Sequence, residues 1–225
     1  MTHARFLRMS TIVVALVGPA CLLAQGRASI TATGEATVSA NPDQATIAVS
    51  VSNTASTAID ASGQNAAQTS SVIAALRGVM SSSDELKTVA YSLYPNYNNA
   101  GTLIGYTATN TIQVTTGELT STGKLIDTAT QSGATRVQSL SFGLKNSQPL
   151  RAQALKLAAA QARTQVEAIA AGLSVKIGNV IAASDGSSVS PIVTPGLGGT
   201  AVTTPIVTGA VQVTADVRLQ VEIIQ

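Results

Sequence analysis

The sequence predicts an α+β fold, with antiparallel sheets packed against two to three helices, and three observations lead there. Residues 30–40, 45–51 and 207–223 alternate apolar or small side chains with mainly polar ones, the period of two that marks a strand with one dry face and one wet face. Residues 57–80 and 147–173 carry apolar or small residues three and four apart, the stripe of a helix lying on a core. Short clusters of turn formers separate these stretches, so the element order reads ββαββ, then αβα, then ββ, closing on a long C-terminal strand.

The chain of 225 residues opens on a segment outside this fold. Arg5 and Arg8 precede an apolar run from Thr11 to Ala24 and then small residues, the plan of a secretory signal peptide over residues 1–28, with cleavage after Gly26 or Ala28. The run is short of the roughly 20 apolar residues of a transmembrane helix, and no later run compares with it. The only histidine, His3, and the only cysteine, Cys21, leave with the leader. What remains has no thiol, imidazole or indole, which excludes disulfides, nitrogen- and sulfur-ligated zinc, and Ser-His-Asp or Cys-His catalysis. Arg5 and Arg8 leave too, so 13 basic residues fall to 11 against 11 acidic ones for a chain starting at Arg27. A net charge of zero carries no footprint for nucleic acid. Cys21 stands where a lipoprotein acceptor would, but Gly18 occupies the position that a bacterial lipid signal fills with a large aliphatic residue. Ordinary cleavage is the expectation, with lipid anchoring the alternative.

The first strand alternates Ile30, Ala32, Gly34, Ala36, Val38 and Ala40 against polar neighbours. Asn41-Pro42-Asp43 breaks it, and Ala45, Ile47, Val49 and Val51 resume, so the two strands are predicted to form an antiparallel hairpin. Thr57 and Asp60 have the spacing of a capping box. The helix they open shows Ser62, Ala66, Thr69, Ile73, Leu76 and Met80 as its inward stripe and ends at Ser81 to Asp84. A strand over 86–94, a loop over 95–101 and a strand over 103–115 follow, and they hold all four tyrosines, Tyr91, Tyr94, Tyr97 and Tyr106. Such a cluster is either cross-strand aromatic packing on a sheet face plus a loop tyrosine, or a contact surface for another subunit or a ligand that uses both the apolar body and the polar tip of tyrosine.

A short helix over 118–131 turns Leu119, Leu125, Ile126 and Ala129 inward, and a strand over 136–144 buries Leu140, Phe142 and Leu144. Asn146 or Ser147 caps the longest helix, Pro149 sits in its first turn and Gly172 ends it. Its stripe is Leu155, Ala158, Ala162, Val166, Ile169 and Leu173, while Arg163 and Glu167 make a solvated pair on the outer face. A strand over 175–183 leads into 184–205, rich in Gly, Ser, Thr and Pro. A loop beyond about 12 to 15 residues is usually functional or disordered. The closing strand over 207–223 would be roughly 55 Å long, which calls for a bend near Gly209, service in two sheets, or projection from the body, and so long a strand has an edge needing a partner. Residues 29–225 are read as one domain, divisible into α+β subdomains 29–115 and 116–225 that share the terminal strands.

Taken together, Thr33-Gly34-Glu35, Pro42-Asp43-Gln44-Ala45, Asn65-Ala66, Tyr94-Pro95-Asn96-Tyr97, Gly105-Tyr106, the alanine-spaced helix ending Ala171-Gly172-Leu173, and Pro205 to Gly209 before the last strand resemble the SIMPL domain family. The resemblance covers nearly all of the chain after the leader, and the 184–205 loop departs from it. It implies an exported periplasmic or outer-membrane-associated protein. Bacterial members include an immunogenic protein that assembles into a large ring-like, channel-like oligomer, some members are linked to protection against oxidative stress, and a eukaryotic namesake associates with a kinase in innate immune signalling. It carries no catalytic residues to this chain.

Two function classes follow. The first is a non-enzymatic, self-assembling envelope protein, homo-oligomeric, with a structural or stress-related role and peripheral or lipid-anchored contact with the outer membrane. The second is a periplasmic ligand-binding protein or a carboxylate-based enzyme. For it the acids are poor candidates: Asp43 is a turn residue, Glu35, Asp216 and Glu222 lie on wet strand faces, and Asp84-Glu85 is the only close pair. No catalytic, cofactor-binding or metal-ligating residue is nominated. The two helices argue against a mostly β adhesin or a membrane barrel.

Overall fold

A computed structural model of the protein describes residues 27–186, 188–189, 206 and 208–224. The leader up to residue 26 and most of the 184–205 loop lie outside the described residues. The elements follow the predicted order: β1 (Ser29–Ala40), β2 (Gln44–Ala55), α1 (Ala58–Val79), β3 (Glu85–Tyr97), β4 (Leu103–Thr116), α2 (Thr122–Gln131), β5 (Arg136–Gly143), α3 (Gln148–Gly172), β6 (Lys176–Asp185), the two-residue β7 (Ser188–Val189) and β8 (Val211–Ile224). A single 3-10 turn, Leu119–Ser121, leads into α2.

Two antiparallel sheets result. One has the order β1-β8-β6 with β7 also on β8, and the other has the order β3-β4-β2-β5. The helix α3 lies on β1 and β8, while α1 and α2 lie on the second sheet. Ile30, Ala32, Val213, Ala215 and Val221 of the first sheet are buried, and so are Ile47, Val49, Val51, Ile112 and Val114 of the second.

The expected β1–β2 hairpin does not form. Pro42 and Asp43 carry the chain out of one sheet and into the other: the Asp43 N–H donates to the Gly143 carbonyl at 3.0 Å and its Oδ1 accepts from the Lys145 N–H at 2.6 Å. Both bonds fasten the turn to the end of β5 rather than folding β2 back on β1. The strand β1 pairs with β8 instead, in register from Ser29↔Glu222 to Ala40↔Val211. The closing strand is accordingly a central strand, with β1 on one side and β6 and β7 on the other, and its length does not imply an open edge. It is also shorter than 207–223, since Gly209 and Ala210 precede its start at Val211.

Both long helices present a face rotated from the predicted one. Thr57 caps α1 as expected, its Oγ1 accepting from the Asp60 N–H at 3.1 Å. The buried residues of α1 are Ala61, Asn65, Thr69, Val72 and Leu76, so Thr69 and Leu76 stand as predicted, Ile73 and Met80 pack against the same core while partly buried, and Ser62 and Ala66 give way. The pivot is Asn65, which is fully buried because its Nδ2 donates to the carbonyls of Val51 at 2.9 Å and Ala108 at 3.1 Å. A stripe drawn through apolar and small residues passes over it. In α3 the buried residues are Ala154, Ala158, Ala162, Val166 and Ala170, and Ile169 and Leu173, predicted inward, are exposed. The cause is Gly34 of β1: a Cβ there would fall on the Ala158 carbonyl oxygen and the Ala162 nitrogen. At so close a crossing the helix can turn little more than alanine toward the sheet. Gly172 is the last helical residue, and the left-handed position after it is taken by Ser174 at φ 54°.

Candidate interaction surface

The helix α1 lies across β2 and β4 and reaches only the beginning of β3, where Leu86 packs against the core. Beyond Thr88 the strand β3 runs past the helix with β4 as its sole partner among the described residues, the edge of its sheet. At the far end Asn98 holds the turn, its Oδ1 accepting from the Ala100 and Thr102 N–H groups at 3.0 and 2.9 Å, and Gly101 supplies the positive φ of 78°. Gly105, at φ 149°, lets the hairpin bend where its missing Cβ would meet the Ala55 carbonyl at 2.7 Å.

This uncovered hairpin carries an apolar surface. Val89, Tyr91, Leu93, Tyr94, Leu103 and Ile104 are exposed, Ile104 to 62%, and Tyr97 is 60% exposed. No two tyrosines stand directly opposite each other across the strands. Tyr91 stands opposite Asn110, Tyr94 opposite Thr107, Tyr97 opposite Leu103 and Tyr106 opposite Pro95. The register divides the hairpin by face: Tyr91 and Leu93 share the α1 side with Ala108 and Ile112, and Ser92 and Tyr94 lie on the opposite side with Thr107 and Thr109.

The candidate acids are scattered, with one exception. Asp43 is the turn anchor already described, and Glu222 pairs with Arg27 at 3.3 Å. Asp84 Oδ2 accepts from the Ser81 N–H at 2.8 Å, and Glu85 meets Lys87 at 3.6 Å. The exception is Glu35, which stands directly opposite Asp216 in the β1–β8 ladder. Sequence reasoning placed both on wet faces but did not bring them together, because strand partners at the two ends of a chain leave no local signal. Among the described residues no group of three or more His, Cys, Asp or Glu could hold a metal ion, and no helix is long and apolar enough to cross a membrane. The Arg163–Glu167 pair forms as predicted, at 2.9 Å.

The family model for SIMPL, described as proteins of unknown function (DUF541), matches residues 30–221, from β1 into β8. The chain belongs to the SIMPL family. The SIMPL match thus takes in both sheets, all three helices and the exposed β3–β4 hairpin. No curated protein matches the chain, and the family description carries no activity, so function has to be argued from the surface.

Proposed function

We propose that this SIMPL protein is exported through its leader to the periplasm or the outer membrane and acts there as a self-assembling, non-enzymatic envelope protein with a structural or stress-protective role. The observation that carries the reading is the apolar β3–β4 hairpin, whose outer strand β3 is a sheet edge with no second strand partner among the described residues. An unpaired edge with exposed branched and aromatic side chains is a template for another strand, and in a homo-oligomer the nearest supply is a second copy. Tyrosines add apolar area and a polar tip at little entropic cost, as interfaces favour. The absence of histidine and cysteine after residue 21 supports the non-enzymatic part of the reading.

Light scattering on residues 29–225 after size exclusion tests it. The expected result is one discrete oligomer, and Tyr91→Ser with Leu93→Ser reduces its mass to that of the single chain while leaving the far-UV circular dichroism unchanged. A monomeric parent protein, or an oligomer indifferent to the double substitution, refutes the reading.

A further inference from the structure

The face of the second sheet turned away from α1 and α2 is paved with hydroxyls. Ser50 bonds to Thr111 at 2.9 Å, Ser52 to Thr109 at 3.0 Å and Thr54 to Thr107 at 2.9 Å, three rungs across β2 and β4. Amides fix the ends of this ladder, with Gln138 Nε2 donating to Ser50 Oγ at 2.8 Å and Asn96 Nδ2 to Thr107 Oγ1 at 2.7 Å. A hydroxyl that accepts from an amide is free to donate to its cross-strand partner, whose own hydrogen then points outward. Of these rungs Ser50, Ser52 and Thr109 line a groove together with Ser92 and Thr135, so its floor offers five hydroxyls. Two walls rise from it, Tyr94 on β3 and Arg136 with Gln138 on β5, enclosing an open groove of 310 Å³. No acid lines the groove, and among the described residues Arg136 makes no ion pair.

We infer that this groove binds an acidic oligosaccharide, a chain of sugars bearing carboxylates. The unopposed guanidinium matches a carboxylate in charge and in its forked geometry. The five hydroxyls that line the groove match a polyhydroxylated ligand, and the half-exposed Tyr94 ring offers an apolar wall for the C–H face of a sugar with its own hydroxyl at the rim. A nucleic acid fits less well, since its phosphates need several cations and the groove has one. The inference stands apart from self-assembly, which draws on the outer edge of β3 and on Tyr91 and Leu93 on its α1 side.

Calorimetric titration of the full chain with tetragalacturonate, and with an uncharged tetrasaccharide, tests it. Saturable binding of the acidic chain is expected, with the uncharged one bound at least about tenfold more weakly, a difference of about 1.4 kcal/mol. Arg136→Gln is expected to weaken tetragalacturonate by about tenfold, and Tyr94→Ala by several fold, whereas Lys124→Gln on α2 has no effect. Both variants sit at exposed positions, so far-UV circular dichroism is expected to stay unchanged. No binding, equal binding of the two sugars, or indifference to both variants overturns the inference. So does displacement by equimolar acetate or inorganic phosphate, which marks a simple anion site, and so does dissociation of an oligomer by Arg136→Gln, which marks the groove as an interface between copies.

Discussion

Each sheet seats a long helix, and the two seats are built in opposite ways. On the first sheet α3 approaches until backbone meets backbone, with Gly34 against Ala158 and Ala162 and alanines filling four of the five buried positions. On the second, α1 stands off on Val72 and Leu76 against Ile47, Val49, Ile112 and Val114, and is fastened by the buried amide of Asn65. The first contact is made by what is absent, since only a missing Cβ admits the helix. The second depends on what is present, branched side chains and two hydrogen bonds to sheet carbonyls. Close packing makes both sensitive to change, but to changes of opposite kind, added volume in one and removed polarity in the other.

The largest expected effect is therefore at Gly34. Gly34→Val drives a branched side chain into helix backbone, which has no rotamer to yield, and a loss of about 3 kcal/mol or more is expected. Ala158→Gly does not rescue it, because the obstructing atoms are the Ala158 carbonyl and the Ala162 nitrogen rather than a methyl group. All four tyrosines lie on β3 and β4, so tyrosine fluorescence reports the second sheet alone. In urea, Gly34→Val is expected to shift part of the far-UV transition to lower denaturant while the tyrosine transition stays in place. Rescue by Ala158→Gly would show that side chains and not backbone set the distance, and a matching tyrosine shift would show that the sheets unfold as one unit.

Next comes Asn65. Asn65→Leu keeps the branched shape but adds volume, removes the donor to Val51 and Ala108 and crowds a methyl group against their carbonyls, for an expected loss of about 2 kcal/mol. Here the tyrosine transition moves. Asn65→Asp is expected to cost more, because a carboxylate oxygen then faces carbonyl oxygens in a buried site. If Leu is tolerated within experimental error, burial of α1 rests on its aliphatic residues alone.

These two residues also mark how far the sequence could be read. Element order, the capping residue Thr57, the dry faces of β1, β2 and β8, and the exposed Arg163–Glu167 pair were legible because each is a local pattern, a period or a spacing. The helix faces were misjudged where a pattern of apolar and small residues is a poor guide: Asn65 is polar yet buried, while Ile169 and Leu173 are apolar yet exposed. Gly34 explains α3, but its partners Ala158 and Ala162 lie far along the chain, and the β8 partners of β1, which a local hairpin rule replaced with β2, lie farther still. The tyrosine cluster was visible, but its division between two faces follows from the β3–β4 register and its bulges. The Arg136 groove had a trace in the serines and threonines that fill alternate positions of β2 and β4, and needed β5 beside them to become a site.

The smallest effect concerns the one acidic pair that strand pairing created. Glu35 faces Asp216 across β1 and β8, and like charges in directly opposed positions cost a fraction of a kcal/mol. Arg218, paired with Thr33, lies on the diagonal from Glu35 and offsets part of that cost, within the roughly 7 to 8 Å reach of such neighbours. The Glu35 N–H is held independently by Gln161 Oε1 at 2.6 Å, so its backbone does not depend on the carboxylate. Glu35→Gln is then expected to stabilise the first sheet by about 0.5 kcal/mol at low ionic strength. The gain should shrink in about 1 M salt, where the screening length falls to roughly 3 Å. A loss of stability on substitution would mean that the Arg218 diagonal outweighs the direct repulsion. The carboxylate would then be a tie between the two terminal strands rather than a burden on them.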